Sequence, residues 1–145
     1  MANSHIGTLE MAGARHNPKI LAWFKVAGAS WINTDETAWC SAFACGVAAE
    51  ANAYNPRTVR AKDWLQVHKE GGGEKVELQN LQPGDVIVVS RGPGLFHVTF
   101  FSHHENGKLV CVGGNQANAV CLRPYDALLF VGAVRLRAAS LEDRL

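Results

Sequence analysis

The sequence lacks the features of a membrane protein and of a strongly charged nucleic acid binder. No segment approaches the run of about 18 apolar residues that a membrane-spanning helix requires. Lys and Arg total 14 against 13 Asp and Glu, which leaves a net charge of +1 and no long basic run. This balance gives no electrostatic reason to expect nucleic acid. We therefore predict no membrane span and no nucleic acid partner.

A secretion signal and the usual metal-binding spacings are also missing. Residues 1–5 lack the basic-then-apolar order of a signal peptide, which predicts synthesis in the cytoplasm. The four cysteines include no Cys-x-x-Cys pair and no usual zinc-ligand spacing. We predict free thiols, no bound metal and no cofactor. A metal site built from His97, His103, His104 and cysteines stays open as an alternative.

The length of 145 residues and the apolar content of 48% are typical of one soluble domain. We expect a single domain over residues 1–145, with a core over about 7–135, and a monomer. Apolar residues at helical spacing dominate the first half, and short apolar runs between turn signals dominate the second. This order is typical of an α+β fold in which N-terminal helices pack on a C-terminal antiparallel sheet.

Capping and turn signals place the individual elements. Asn17-Pro18 is an N-cap followed by proline, and Asn55-Pro56 repeats the signal. An Ala-rich run is typical of a buried helix that begins near Cys40. The predicted helices are 7–14, 18–28, 40–50 and 56–70. The predicted strands are 86–89, 95–102, 109–112, 120–122 and 128–134, with an Asn-Gly hairpin signal at 106–107.

Cys40 is the best-placed nucleophile among the four cysteines. A thiol attacks as the thiolate, and a helix N-terminus or a neighbouring imidazolium lowers its pKa. Only Cys40 stands where a polar loop meets a helix, whereas Cys45 lies within the apolar run and Cys111 and Cys121 fall in strand segments. The alternative is a small buried apolar residue, which is the commoner role of cysteine.

His97 is the candidate base for this nucleophile. It interrupts the apolar segment from Leu95 to Phe101, where a polar side chain needs a partner. The alternative is a core histidine bonded to backbone. The other histidines fall in the N-terminal tail, near helix ends or near a hairpin turn: His5, His16, His68, His103 and His104.

A third group usually fixes the tautomer of a catalytic imidazole. The Asn-Gly hairpin brings the next strand alongside His97, and Asn115 and Gln116 follow that strand. We expect Asn115 to orient the ring, with Gln116 as the alternative. Glu36 is a further alternative, because it is either a negative charge near the site or an exposed acid at the helix start.

Four segments, taken together, resemble the CHAP (cysteine, histidine-dependent amidohydrolase/peptidase) and NlpC-type hydrolases. Asp35-Glu36-Thr37-Ala38-Trp39-Cys40 is similar to a phage- and prophage-associated branch with an Asp-Glu-x-x-Trp-Cys signature. The other matches are a turn and strand at Pro83-Gly84-Asp85-Val86-Ile87, a His-Val motif at Phe96-His97-Val98 and a final motif at Gly113-Gly114-Asn115-Gln116. They occur in the family's order and span most of the chain.

The resemblance implies a papain-like fold, with Cys40 at the start of the central helix, His97 on the sheet and Asn115 orienting His97. It implies cleavage of amide bonds in bacterial peptidoglycan, by an N-acetylmuramoyl-L-alanine amidase or a stem-peptide endopeptidase. Such an enzyme acts in the periplasm or cell wall, as a phage endolysin or as a secreted antibacterial effector with an immunity or secretion partner. The chain departs from the family at Thr99, where many relatives have glycine, and at Asn115, where CHAP enzymes often carry Glu or Asp.

Two further hypotheses concern the role of the tryptophans and an alternative to catalysis. Trp39 and Trp31 are candidates for lining a glycan or peptide groove, whereas Trp64 is expected in the core. A catalytically inactive cell-wall-binding or assembly module of the same fold is the alternative to an enzyme, although an intact cysteine and histidine pair argues against it.

Overall fold

The computed structural model describes residues 2–8, 17–28, 39–116, 119–141 and 143. The helices are α1 (Pro18–Val26) and α2 (Cys40–Glu50). The strands are β1 (Gly73–Val76), β2 (Val86–Gly92), β3 (Leu95–Glu105), β4 (Lys108–Gln116), β5 (Ala119–Asp126) and β6 (Phe130–Leu136). Short 3-10 helices lie at Ala2–His5, Ala61–Gln66, Leu78–Asn80 and Ala127–Leu129. No helix within these ranges has the length and apolar character to cross a membrane.

The six strands form one sheet in the order β1-β6-β2-β3-β4-β5, and all neighbours are antiparallel. The hairpin between β3 and β4 turns at Asn106 and Gly107, whose φ angles are 52° and 75°. A two-residue hairpin of this kind needs positive φ at both central positions, which explains the Asn-Gly pair. The predicted α+β architecture with an antiparallel sheet is confirmed.

The helix predictions are right where a cap decides the structure. Asn17 accepts a hydrogen bond from the backbone of Lys19 at 2.9 Å, and α1 begins at the following proline. The helix predicted from Pro56 is wrong, although Asn55 accepts from the backbone N–H of Arg57 at 2.9 Å just as Asn17 accepts from that of Lys19. Arg57 has φ of 53°, which a right-handed helix does not admit, so only the short 3-10 helix at Ala61–Gln66 forms.

The N-terminal segment is packed into the fold where it is described. His5 is 7% exposed and its Nε2 lies 2.9 Å from a carboxylate oxygen of Glu50, so its placement in a tail is wrong. Gly7 and Thr8 hydrogen bond to the backbone of Val120 rather than starting a helix. The rest of the predicted helix, at 9–14, lies outside the described residues.

The sheet is covered on both faces along its central strands. On one face α1 and α2 pack through aromatic contacts, with the Phe43 ring 6.1 Å from that of Phe100 and 4.9 Å from that of Trp23. The other face carries a second buried cluster: Val76, Ile87, Val89, Phe101, Leu109, Cys111 and Ala133. A polar side chain on β3 therefore has to find its partners inside the protein.

The buried carboxylate of Asp85 connects the turn before β2 to strand β6. Asp85 is 2% exposed and receives two hydrogen bonds of 2.9 Å from Arg135 on β6. It also accepts from the backbone N–H of Gln82 at 2.8 Å, which closes the turn before β2. Paired, bidentate contacts of this kind satisfy a carboxylate that burial would otherwise destabilise.

We predict that Asp85→Asn lowers the free energy of unfolding by about 2–3 kcal/mol, because a charge-assisted buried pair becomes neutral on one side. Urea denaturation measures the change. Asp143→Asn is the matched control, since the Asp143–Arg137 pair is an Arg–Asp contact near the surface. An equal loss of stability in the two variants would contradict this structural role of Asp85.

Candidate active site

Cys40 is the first residue of α2, as predicted, and it is buried at 7% exposure. The backbone N–H of Val98 on β3 lies close enough to the thiol to lower its pKa. This part of β3 precedes its pairing with β4, which begins at Phe100 opposite Val112. The thiol therefore lies near the part of β3 that carries Val98, the residue after His97.

The start of α2 is held from two sides. Ser41 donates to the backbone carbonyl of Thr58 at 2.6 Å and accepts from the indole N–H of Trp64 at 2.9 Å. Trp39 is fully buried and its ring stacks on that of Trp23 at 6.0 Å. Trp39 therefore supports the helix start and does not line a groove, while Trp64 is a core residue, as expected.

Burial raises the pKa of the Cys40 thiol above its ordinary value. The backbone N–H of Val98, the positive charge of Arg91 and the first N–H groups of α2 lower it, but burial is the largest effect. The start of α2 lowers this pKa, as expected, but burial outweighs that effect and the net change is upward. Cys40 rests as a neutral thiol.

His97 is 1% exposed, and its Nε2 lies 3.0 Å from Oε1 of Gln116. Its Nδ1 is buried and has no hydrogen-bond partner in the described part of the chain. Burial lowers the pKa of His97 to about 4, and Arg91 and Arg123 lower it further while Gln116 opposes the change. The ring is therefore neutral near pH 7, with one nitrogen bonded and the other available.

Gln116, and not Asn115, holds the ring of His97, so the preferred orienting residue is corrected. Pairing of β4 with β5 shifts between Gly113 and Gln116, and Asn115 has φ of 58°. With regular alternation Asn115 would share the face of Gly113. The irregularity shifts the alternation of side chains by one residue, so Gln116 lies on the face of Gly113 instead.

The two glycines that precede this irregularity leave room for different neighbours. A Cβ on Gly113 would lie 2.5 Å from both Oε1 of Gln116 and Oγ1 of Thr99. A Cβ on Gly114 would lie 2.6 Å from Trp39 and Phe43, beneath the start of α2. Gly113 thus admits the polar group at His97, and Gly114 admits the helix that carries Cys40.

No hydrogen bond joins Cys40 to His97 among the described residues. Val98 and Phe100 face α2, so strand alternation sends His97 and Thr99 to the opposite face of β3. The thiol and the imidazole thus approach β3 from its two sides, in the part of β3 that does not pair with β4. In unliganded active sites the catalytic hydrogen bonds are often long and tighten with substrate.

Several sequence candidates fall elsewhere. Glu36, His16 and Trp31 lie outside the described residues. His103 and His104 are exposed, and the described ranges hold no group of three side chains suited to a metal. All four cysteines are free thiols, as expected.

Four residues at the site were missed by sequence reasoning. Thr99 follows His97 by two positions, so strand periodicity would have placed the two side chains on one face. Tyr125, Arg91 and Arg123 carry no local signal, because their proximity depends on pairing between strands. No known family model matches the chain, and none of the curated proteins matches it.

We predict that lowering the pH from 6.5 to 4 destabilises the fold by up to about 3 kcal/mol through His97. The folded-state pKa lies below the unfolded value, so the unfolded chain binds more protons in this interval. The stabilisation is present above pH 6.5 and is lost as pH falls to about 4. Urea denaturation at several pH values measures it.

The control for this pH dependence is His97→Gln, which removes the titrating ring but keeps a polar side chain. We expect its unfolding free energy to change less between pH 6.5 and 4 than that of the unmodified protein. Equal slopes in the two proteins would show that His97 is not the buried titrating group.

Proposed function

We propose that this protein is a cysteine hydrolase of the papain-like type, with Cys40 as nucleophile, His97 as base and Gln116 as the residue that orients His97. The observation that carries the proposal is the buried imidazole, which is bonded through Nε2 and has no partner at Nδ1 among the described residues, next in sequence to Val98, whose N–H lowers the pKa of Cys40. A merely structural histidine gains nothing from an unpartnered buried nitrogen, which costs about 1–3 kcal/mol.

The proposed chemistry begins with a neutral pair, and it requires the thiol and the imidazole, which approach β3 from its two sides, to come into contact when substrate binds. As the sulfur of Cys40 attacks an amide carbonyl, Nδ1 of His97 takes the thiol proton and then gives it to the leaving nitrogen. The C–N bond breaks and a thioester remains on Cys40. Water, deprotonated by His97, then attacks the thioester and releases the acid and the free thiol. The N–H groups of the first turn of α2 are the proposed donors for the oxyanion.

The substrate that we propose is an amide bond of bacterial peptidoglycan, cut as an N-acetylmuramoyl-L-alanine amidase or a stem-peptide endopeptidase. Support comes from the four motifs that resemble CHAP and NlpC-type hydrolases, two of which supply the hydrogen-bonded pair of His97 and Gln116. Arg91 and Arg123 are exposed, and each acts electrostatically on His97. Their positive charge suits a substrate rich in carboxylates, as stem peptides are.

The proposed substrate implies where the protein acts. The protein acts in the periplasm or cell wall as a phage endolysin or as a secreted antibacterial effector, and an effector would have an immunity or secretion partner. The rival function is an inactive wall-binding module of the same fold. The polar network around His97 favours the enzyme, because a binding surface does not need a buried imidazole.

We predict that Cys40→Ala abolishes the release of fragments from purified peptidoglycan, because no other group can form the thioester. Mass spectrometry of the released fragments identifies the bond that is cut. Cys45→Ala is the matched control, since Cys45 is a buried thiol five positions along the same helix. Activity retained in the Cys40 variant excludes the proposed nucleophile, and binding without release in the unmodified protein favours the binding module.

We predict that kcat/KM on a defined muropeptide falls on the acid side with an apparent pKa near 4, well below the ordinary 6.5 of histidine. Only neutral His97 accepts the thiol proton, so activity is present above this pKa and is lost below it. An acid limb near 6.5 would show that the reacting imidazole is solvated rather than buried.

A further inference from the structure

The carboxamide of Gln116 has a single orientation in the structure. Its Nε2 lies 2.7 Å from the backbone oxygen of Cys121 and 3.4 Å from that of Cys111. Carbonyl oxygens only accept hydrogen bonds, so the amide nitrogen has to face them. The reversed amide would set its own oxygen against both carbonyls.

The amide oxygen of Gln116 is therefore the atom that meets His97. Oε1 lies 3.0 Å from Nε2 of His97 and receives hydroxyl hydrogen bonds of 2.9 Å from both Thr99 and Tyr125. An amide oxygen cannot donate, so Nε2 of His97 has to carry the proton. In the neutral ring the lone pair then belongs to Nδ1.

We propose that Thr99 and Tyr125 are positioning residues that act through Gln116 to hold neutral His97 in the Nε2–H tautomer, which leaves Nδ1 as the base. This inference rests on the proposed function only for its catalytic consequence, since the tautomer itself follows from the contacts. The other tautomer would set the lone pairs of Nε2 and Oε1 against each other, and it would bury an N–H at Nδ1 that has no acceptor among the described residues.

The hydroxyls of Thr99 and Tyr125 donate hydrogen bonds to the same Oε1 of Gln116 from two different strands. Thr99 is fully buried on β3, beside His97, and Tyr125 lies on β5 with its ring 5.8 Å from that of His97. Burial raises the pKa of Tyr125, so its hydroxyl remains protonated and able to donate. With Gln116 on β4, the group links three strands around one imidazole.

The nitrogen chemical shifts of His97, measured by NMR on the 15N-labelled protein near pH 7, report the tautomer directly. The His97 signals are assigned by their absence from the spectrum of the His97→Gln variant. We expect a protonated Nε2 and an unprotonated Nδ1. The opposite tautomer, or a fast average of the two, would overturn the inference whether or not the protein hydrolyses peptidoglycan.

The positioning roles are tested with Thr99→Val and Tyr125→Phe, each of which removes a hydroxyl and little else. We expect kcat on a muropeptide to fall roughly fivefold in each, with KM unchanged, because one hydrogen bond that fixes the amide is lost. The nitrogen shifts of His97 should move towards the averaged value in the same variants. Thr99→Ser keeps the hydroxyl and should recover the rate.

Tyr54→Phe is the control, since the Tyr54 hydroxyl bonds Glu70 away from the site. A drop in kcat without any change in the His97 shifts would assign Thr99 and Tyr125 a packing role and overturn the inference. Absence of hydrolysis in the unmodified protein, together with the Nε2–H tautomer, would instead reject the proposed function and keep the tautomer assignment.

Discussion

The carboxamide of Gln116 is the interaction on which the site depends, because it connects β3, β4 and β5 at one point. Its oxygen bonds His97, Thr99 and Tyr125, and its nitrogen bonds the backbone of Cys121 and Cys111. Every polar atom of this side chain is thereby satisfied in a region that water does not reach. The position of the imidazole follows from this arrangement, and so does the need for a residue without a Cβ at position 113.

The irregularity in β4 is what makes this geometry available. A regular strand would point Gln116 towards α2, where Trp39 and Phe43 already occupy the space beside Gly114. The left-handed conformation of Asn115 changes the phase of the strand and frees Gln116 for the opposite face. Asn is among the few residues that adopt this conformation readily. Asn115 therefore contributes its backbone to the site, although its side chain was expected to do so.

Burial favours the neutral form of both groups to which we assign the proposed reaction. It raises the pKa of Cys40 and lowers that of His97, so both are neutral at pH 7. A preformed thiolate and imidazolium pair would require water or substrate to enter first. The neutral pair is consistent with a resting state whose thiol is protected from oxidation and whose base is ready when a carbonyl arrives.

Sequence reasoning succeeded where a local signal decides the structure and failed where strand pairing decides it. The cap at Asn17 predicts α1, and the Asn-Gly pair predicts the turn between β3 and β4, since each involves neighbours in the chain. The choice between Asn115 and Gln116 depends on an irregularity in β4. The hydrophobic periodicity of the sequence does not show where the side chains change faces. The contribution of Tyr125 depends on the register of β5, and the raised pKa of Cys40 depends on packing.

The arrangement itself argues for chemistry over a purely structural role. A buried histidine that only fills space is most stable with both nitrogens bonded, or when replaced by an apolar residue. Here the amide oxygen of Gln116, which accepts from two hydroxyls, bonds Nε2, while Nδ1 is buried and has no partner among the described residues. Stability alone does not favour that asymmetry. A base that has to keep one lone pair unbonded until a thiol proton arrives requires it.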